Sequence, residues 1–254
     1  MTPRLDLNAD LGEHDGPPPA AARALLRLVT SANIACGAHA GDDRSMRAVS
    51  AEAAALGIQV GAHPAFPDRP GFGRRVVAMR PDEVTDTVAR QIDALSANAM
   101  AEDATVRHVK PHGALYTLAF RDRPTADAIA AGILLASPSL ALYAPSGSAL
   151  AAAGAAAGLR VVAEGFLDRT YEEDGSLTPR DVPGAVLHDP DLACSRALEW
   201  AGTGRVRTRT GMDIDMPIES LCVHGDTPQA LAIATQVRAA LATAGVRLLA
   251  SLAP

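Results

Sequence analysis

Aromatic side chains and cysteines are scarce in this chain. Of its 254 residues, 3% are aromatic and three are cysteine, at positions 36, 194 and 222. Ala, Val, Leu and Ile must therefore fill the core, and abundant Ala favours helices that pack closely on a sheet. An odd cysteine count without a Cys-x-x-Cys pair argues against a disulfide framework, so we expect a cytoplasmic location.

Long apolar runs and basic clusters are also missing. No apolar run approaches the ~20 residues that a membrane-spanning helix needs. Charged residues at positions 4 and 6 argue against a secretory signal. The 23 basic and 29 acidic residues give a net charge of −6 with no basic stripe. We therefore expect neither a nucleic acid nor a membrane as partner.

Two glycine-rich phosphate-binding motifs are absent as well. No GxGxxG sequence follows the first predicted strand, and no GxxxxGK[ST] sequence occurs anywhere. The first absence argues against a dinucleotide-binding fold, and the second excludes a conventional P-loop for a nucleotide.

Short apolar runs alternate with Ala- and Leu-rich stretches of helical spacing. This βα alternation predicts an α/β fold with a parallel sheet and helices outside it. Polar clusters follow nearly every strand, which favours a distorted (β/α) barrel of about seven parallel strands, as one domain over residues 1–254, over an open sheet. The predicted strands are 4–8, 32–36, 59–62, 105–109, 140–144, 161–163, 220–223 and 247–249. The predicted helices are 19–28, 44–56, 81–101, 124–136, 148–157, 190–201 and 228–244.

Three further local patterns have structural meaning. The long polar stretch 165–189 is expected to lie over the active face as a lid or wall. Residues 205–215 alternate in character around a glycine and predict a small appended hairpin. Thr227 and Pro228 predict an N-cap and the first position of the last helix.

The polar clusters at strand ends are expected to meet in one site, because parallel strands converge at their carboxyl ends. Asp6, Asn8 and Asp10 alternate along the first strand and so share one face. Glu13 follows on the loop, within reach of the same mouth. The clusters occupy residues 5–13, 31–42, 60–64, 109–116, 163–171 and 221–226.

Several other residues in these clusters have suitable chemistry. Lys110 and His112 point the same way from a strand end, and Lys110 is expected to pair with Asp10 or Asp6. Arg74 and Arg75 match the geometry of a carboxylate or phosphate. An alternative to a functional role for Asp226 is that it caps the helix that follows it. We expect no functional role for His14, His108 and His188, which lie outside the clusters. Within the second cluster, we expect Cys36 to be a small buried residue.

The cluster motifs resemble the LamB/YcsF family. They are DLNADLGE, SANIACGAHAGD, GAHPAFPD, GFGRR, VKPHGALY, FLDRTY and CVHGDTP, in family order from Leu5 to about Pro228. The resemblance implies a barrel related to the polysaccharide deacetylase and glycoside hydrolase type. Because characterised members are A subunits of 5-oxoprolinase, it also implies ATP-dependent opening of 5-oxo-L-proline to L-glutamate, with partner subunits B and C that resemble allophanate hydrolase halves.

Opening a stable lactam requires a base, an electrostatic stabiliser and a cation for the substrate carboxylate or a phosphate. We expect Asp10 or His39 as base, Lys110 with His112 as stabilisers, and Arg74 or Arg169 as anion site. We expect ATP to bind either to a partner protein or to the barrel, in the second case without a conventional nucleotide-binding motif. The expected catalytic residues are Asp10, His39, Lys110, His112, Asp6 and Asn8. The expected substrate-binding residues are His63, Arg74, Glu164, Asp168, Arg169, His224 and Asp226.

Two other functions fit the same residues. Asp10, His39 and His63 provide one carboxylate and two imidazoles, a ligand set suited to a metal-dependent amidohydrolase or deacetylase acting on a small amide or sugar. Alternatively, the chain is non-catalytic, and it binds a small acid and presents it to partners.

Overall fold

The computed structural model describes residues 4–253, and seven parallel strands form a closed barrel at its centre. The strands are β1 (Arg4–Leu11), β2 (Ser31–Ala35), β3 (Gln59–His63), β4 (Val106–Val109), β5 (Ala141–Pro145), β6 (Val161–Phe166), β7 (Arg205–Arg207), β8 (Asp213–Asp215), β9 (Ser220–Val223) and β10 (Arg247–Leu248). The barrel order is β1-β2-β3-β4-β5-β6-β9, and β9 closes it by pairing with both β6 and β1. The predicted fold class is therefore confirmed.

Helices surround this barrel and bury their apolar faces against the strands. They are α1 (Ala20–Leu26), α2 (Asp43–Leu56), α3 (Pro81–Met100), α4 (Gly113–Leu118), α5 (Arg123–Ala136), α6 (Ala149–Ala156), α7 (Pro190–Thr203) and α8 (Ala230–Thr243). A short 3-10 helix covers Arg69–Gly71. Among residues 4–253, no helix combines the length and the apolar composition needed to cross a membrane.

The barrel interior is polar and almost completely closed to solvent. Asp6 lies deep inside and accepts hydrogen bonds from the hydroxyl groups of Ser31 at 2.7 Å and Tyr143 at 3.0 Å. His108 crosses the interior, with its ring stacked on Tyr143 and its Nε2 2.8 Å from Asn33 Oδ1. Gly61 makes room for this ring, since a Cβ there would lie 2.0 Å from His108 Nε2.

The predicted elements are largely confirmed, with one error at a helix start. The predicted hairpin is present as the antiparallel pair β7 and β8. The last helix begins at Ala230 with Gln229 as N-cap, so the predicted start at Pro228 is wrong. The Thr227 hydroxyl donates instead to Asp168 at 3.0 Å, and it is therefore not a cap. The sequence does not predict the six-residue helix α4, because so short a stretch shows little periodicity.

Residues 165–189 form the predicted wall beside the carboxyl ends of the barrel strands. Beyond the end of β6, this segment has no strand or helix of its own and is held by two isolated antiparallel bridges, Arg169 with Val186 and Tyr171 with Leu177. Side chains from this segment line the cavity at the barrel mouth. The segment therefore determines which molecules fit there.

Candidate active site

A cavity of about 650 Å³ opens at the carboxyl ends of the barrel strands. Parallel barrels place their chemistry at this face. One side is lined by residues of the barrel and the other by residues 169–181 of the wall segment. Predicted residues that line it are Asp10, His63, Arg74, Lys110, His112, Glu164, Arg169 and His224.

Lys110 is the central charge of the site. Its side chain is 2% exposed, and its Nζ lies 3.1 Å from Asp10 Oδ1 and 2.9 Å from Glu164 Oε1. Burial alone lowers the pKa of Lys110, but Asp10 and the other anionic neighbours outweigh it and raise this pKa well above its ordinary value. The predicted pairing with Asp10 is confirmed, and Asp6 is not the partner.

Asp10 lies between Lys110 and His63 at the cavity floor. It accepts hydrogen bonds from Lys110 and from Asn33 Nδ2 at 2.9 Å, and His63 Nε2 lies 3.4 Å from its other oxygen. Burial raises the pKa of Asp10, but His63 and Lys110 reverse this and hold it well below its ordinary value. Asp10 is therefore a carboxylate at neutral pH, facing the cavity.

Glu164 connects Lys110 to the far side of the barrel. This buried carboxylate accepts hydrogen bonds from Asn8 Nδ2 at 2.9 Å and from the Tyr116 hydroxyl at 2.8 Å, in addition to its ion pair with Lys110. Burial, with this carboxylate beside it, raises the pKa of Tyr116 well above its ordinary value. With three partners already in place, Glu164 mainly positions Lys110.

Three imidazoles and one carboxylate form a second cluster beside Asp10. The ring atoms of His39, His63 and His112 and the carboxylate of Glu13 offer ligand atoms that all lie within 4.8 Å of one another. Burial lowers the pKa of His39 to about 3, which keeps this ring neutral. Burial and the carboxylate of Asp10 raise the pKa of Glu13 well above its ordinary value. This group shares His39 and His63 with the predicted metal candidates Asp10, His39 and His63, and it adds Glu13 and His112.

Asp168 and His224 form a third pair, at the wall side of the cavity. The carboxylate of Asp168 is fully buried, and its two oxygens lie 2.8 Å and 3.0 Å from His224 Nδ1. Burial raises the pKa of Asp168, and the interaction with His224 outweighs this effect and lowers it. The His224 ring stacks on Phe166 with centroids 5.1 Å apart. Asp168 therefore orients His224 against the cavity.

The predicted arginines have different surroundings. Arg74 stands at the mouth, paired with Asp226 and 4.9 Å above the Phe72 ring. Arg169 is buried, and its guanidinium donates to the backbone carbonyl oxygens of residues 178 and 185, so it holds the wall segment together. Arg75 is paired with Asp68 and is not among the residues that line the cavity.

Some predictions about single residues are corrected by these contacts, and the lining residue Arg180 was missed. Asp226 does not cap a helix, because its carboxylate is paired with Arg74. Asp6 and Asn8 lie in the barrel interior beneath the cavity, where they hold neighbouring side chains. The sequence gives no signal for Arg180, which lines the cavity from a long loop without a periodic pattern. Cys36 is buried, which raises its pKa to about 12, as expected for an inert thiol.

Comparisons with known proteins agree along the whole chain. The model of the LamB/YcsF family matches residues 5–253. The A subunit of 5-oxoprolinase from Methylococcus capsulatus is 49% identical over 97% of this chain and 95% of its own length. The one from Symbiobacterium thermophilum is 48% identical over 96% and 94%. The solved structure of a lactam utilization protein from Thermus thermophilus superposes with a TM-score of 0.90 at 44% identity, covering 97% of this chain and 99% of that one. The chain therefore belongs to the LamB/YcsF family.

Proposed function

We propose that this chain is the A subunit of an ATP-hydrolysing 5-oxoprolinase, which opens the cyclic amide of 5-oxo-L-proline to give L-glutamate. The observation that carries the proposal is the pair of Asp10 and Lys110, a buried base and cation at the floor of a cavity that admits a small molecule. It is supported by relatives of 44–49% identity that are named as A subunits of 5-oxoprolinase.

The chemistry explains why ATP is a co-substrate. The lactam carbonyl is a poor electrophile, and transfer of a phosphoryl group from ATP to its oxygen activates it. Water then adds to the carbonyl carbon, its proton goes to a base, the C–N bond breaks and the ring nitrogen takes a proton. A second water releases phosphate and leaves the glutamate side-chain carboxylate. Overall, one ATP and two waters are consumed, and ADP, phosphate and glutamate are formed.

Three residues of the cavity have suitable roles in this reaction. Asp10 is the general base for the attacking water, because it is ionised and faces the cavity. Lys110 stabilises negative charge that develops on the carbonyl oxygen. Arg74 at the mouth holds the substrate carboxylate or a phosphate. His39 is less suited as the base, since it is not among the residues that line the cavity.

The proposal includes two partners, subunits B and C of the 5-oxoprolinase. The letter A in the names of the relatives fits a complex of several subunits. Since the sequence contains no P-loop, we propose that a partner binds and uses ATP. We also propose a cytoplasmic location, where ATP and reduced cysteines are both available.

The test is glutamate release from 5-oxoproline and ATP, measured for this chain alone and for its mixture with subunits B and C. We expect activity in the mixture only. Asp10→Asn should lower kcat by at least about 100-fold, the usual size of a general-base contribution. The control is Asp93→Asn, an exposed aspartate of α3, which should retain full activity. Unchanged turnover of Asp10→Asn would refute its role, and an inactive mixture would refute the function.

One alternative is favoured by a specific observation. The cluster of Glu13, His39, His63 and His112 suits a metal-dependent amidohydrolase or deacetylase. Such an enzyme hydrolyses its amide without ATP, so ATP-independent release of acetate or glutamate would select it. A protein that only binds the substrate would instead bind 5-oxoproline, and Asp10→Asn would leave turnover by the complex unchanged.

A further inference from the structure

The outer ring nitrogens of two clustered histidines are fixed as donors. His63 Nδ1 lies 2.7 Å from the backbone carbonyl oxygen of Lys110, and His112 Nε2 lies 2.9 Å from that of Phe72. A carbonyl oxygen accepts hydrogen bonds only, so each of these nitrogens carries a hydrogen. In a neutral imidazole the other nitrogen then presents a lone pair.

The inner nitrogens of these rings therefore face each other with two lone pairs. His63 Nε2 and His112 Nδ1 are 2.9 Å apart and both are buried. Two lone pairs at this distance repel unless a positive charge lies between or beside them. Glu13 Oε1 lies 3.5 Å from His112 Nδ1, so a cation at this point would have a carboxyl oxygen beside it and would favour its ionised form.

We propose that Glu13, His63 and His112 bind one divalent transition-metal ion. His63 and His112 each donate a hydrogen bond to a backbone carbonyl oxygen, as metal-binding imidazoles usually do. Ligand atoms around a tetrahedral zinc ion are about 3.3 Å apart, since Zn–N and Zn–O bonds are about 2.0–2.2 Å. The separations of 2.9 Å and 3.5 Å lie close to this value, so small side-chain shifts complete the site.

Two neighbouring side chains are left outside the ligand set. The ring of His39 is parallel to that of His112, with centroids 3.9 Å apart, so their in-plane lone pairs do not converge on one ion. His39 instead supports Glu13, whose Oε1 is 3.3 Å from its Nε2. Lys110 and Asn33 hold the Oδ1 of Asp10, and its Oδ2, 3.4 Å from His63 Nε2, adds negative charge beside the ion.

A set of two histidines and one glutamate is typical of catalytic zinc sites that keep an open position. His63 and His112 line the cavity, so the open position faces it. An ion there would polarise a carbonyl or phosphoryl oxygen. The proposal does not depend on the identity of the substrate, because it is tested by binding alone.

The test uses the full chain without a histidine tag. Metal is removed with EDTA, and Zn²⁺ or Co²⁺ is titrated by calorimetry and by the visible absorption of Co²⁺. We expect one ion per chain and a rise in Tm of about 5 °C at a hundredfold excess over Kd. His63→Ala and His112→Ala should each weaken binding at least about tenfold, whereas the exposed His188→Ala should bind like the wild type.

The opposing result is a shared proton. Nitrogen-15 NMR of the metal-free chain resolves the protonation of each histidine without any substitution. If an imidazolium proton lies between His63 and His112 and micromolar Zn²⁺ leaves these signals unchanged, the proposal is wrong. If Zn²⁺ shifts the signals of both rings at one equivalent, it is supported even where a variant fails to fold.

Discussion

At the scale of single residues, Lys110 supports both the proposed chemistry and the fold. Among residues 4–253, it is the only lysine or arginine within 4 Å of the carboxylates of Asp10 and Glu164. Its removal leaves two buried carboxylates without their ammonium partner. Breaking a buried ion pair from one side costs about 3–5 kcal/mol, because an uncompensated charge stays in the interior.

We therefore predict that Lys110→Met lowers the free energy of unfolding by about 3–5 kcal/mol, measured by urea denaturation. The control is Arg123→Met, which breaks an exposed pair with Asp127 and should cost under about 1 kcal/mol. Adding Glu164→Gln to Lys110→Met should restore part of the loss. Equal effects of the two single variants would contradict this account of Lys110.

His108 gives the stability a defined pH dependence. Burial, with Lys110 and His63 nearby, lowers its pKa to about 3, whereas an unfolded histidine titrates near 6.5. The unfolded chain thus binds the proton more readily between these values. The contribution of His108 to stability is therefore fully present above about pH 6.5 and is lost as the pH falls toward 3.

We predict that His108 accounts for about 2 kcal/mol of the stability lost between pH 7.5 and pH 5.0. His108→Gln should show a correspondingly smaller difference between denaturation curves at these two pH values. The exposed His188→Gln should keep the full wild-type difference. If His108→Gln also keeps it, the ring is protonated in the folded state and burial does not hold it neutral.

At the scale of elements, the wall segment 165–189 depends on one buried side chain. Arg169 donates to two carbonyl oxygens on separate stretches of the segment, at residues 178 and 185. These bonds add to the backbone hydrogen bonds of the segment, which form turns and two isolated bridges and no sheet or helix beyond the end of β6. A segment without regular secondary structure opens locally at lower free energy once such a tie is removed.

We predict that Arg169→Met speeds amide hydrogen exchange in residues 170–187 by about tenfold, which corresponds to the loss of a charged hydrogen bond of about 1.5 kcal/mol. Arg121→Met is a matched control, because it removes an exposed ion pair to Asp174 of the same segment. Its effect should stay below about threefold. Similar exchange in both variants would show that Arg169 does not hold the segment.

The sequence predicts elements better than contacts, and these elements show why. Strand ends such as Asp10 and Lys110 are predictable, because period-2 alternation and the convergence of parallel strands fix their position. The sequence does not predict that Glu13 joins the imidazole cluster or that Arg180 lines the cavity, because both residues lie in irregular loops that follow no period. Arg169 illustrates this difference. An arginine beside a predicted site suggests that it binds an anion, but its guanidinium donates to backbone carbonyl oxygens and so stabilises the wall segment.

At the scale of the whole molecule, the barrel is closed by elements from opposite ends of the chain. β1 pairs with β9, and β10 pairs with the first residues of β1. Since β1 and β9 are neighbours in the ring of strands, neither can leave it without opening the barrel. A single domain over the whole chain therefore stays our prediction, with folding and unfolding as one cooperative unit.

We predict one calorimetric unfolding transition for the isolated chain, with equal midpoints by far-ultraviolet circular dichroism and tryptophan fluorescence. The single tryptophan, Trp200 of α7, is buried against β6, where its ring fills the space beside Gly165. It therefore reports on the packing of α7 against the barrel. Two separated transitions would contradict a single domain.

The alternation along β1 has a consequence for how this chain finds its fold. Asp6, Asn8 and Asp10 point inward, and the intervening Leu7 and Ala9 pack in the apolar core. A slip of one residue would turn apolar side chains toward the hydroxyls and the ammonium group of the interior. A slip of two would leave Lys110 facing the wrong partner. The charges at the cavity floor thus destabilise barrels with a shifted strand register, so the residues proposed for catalysis also help to specify the correct register.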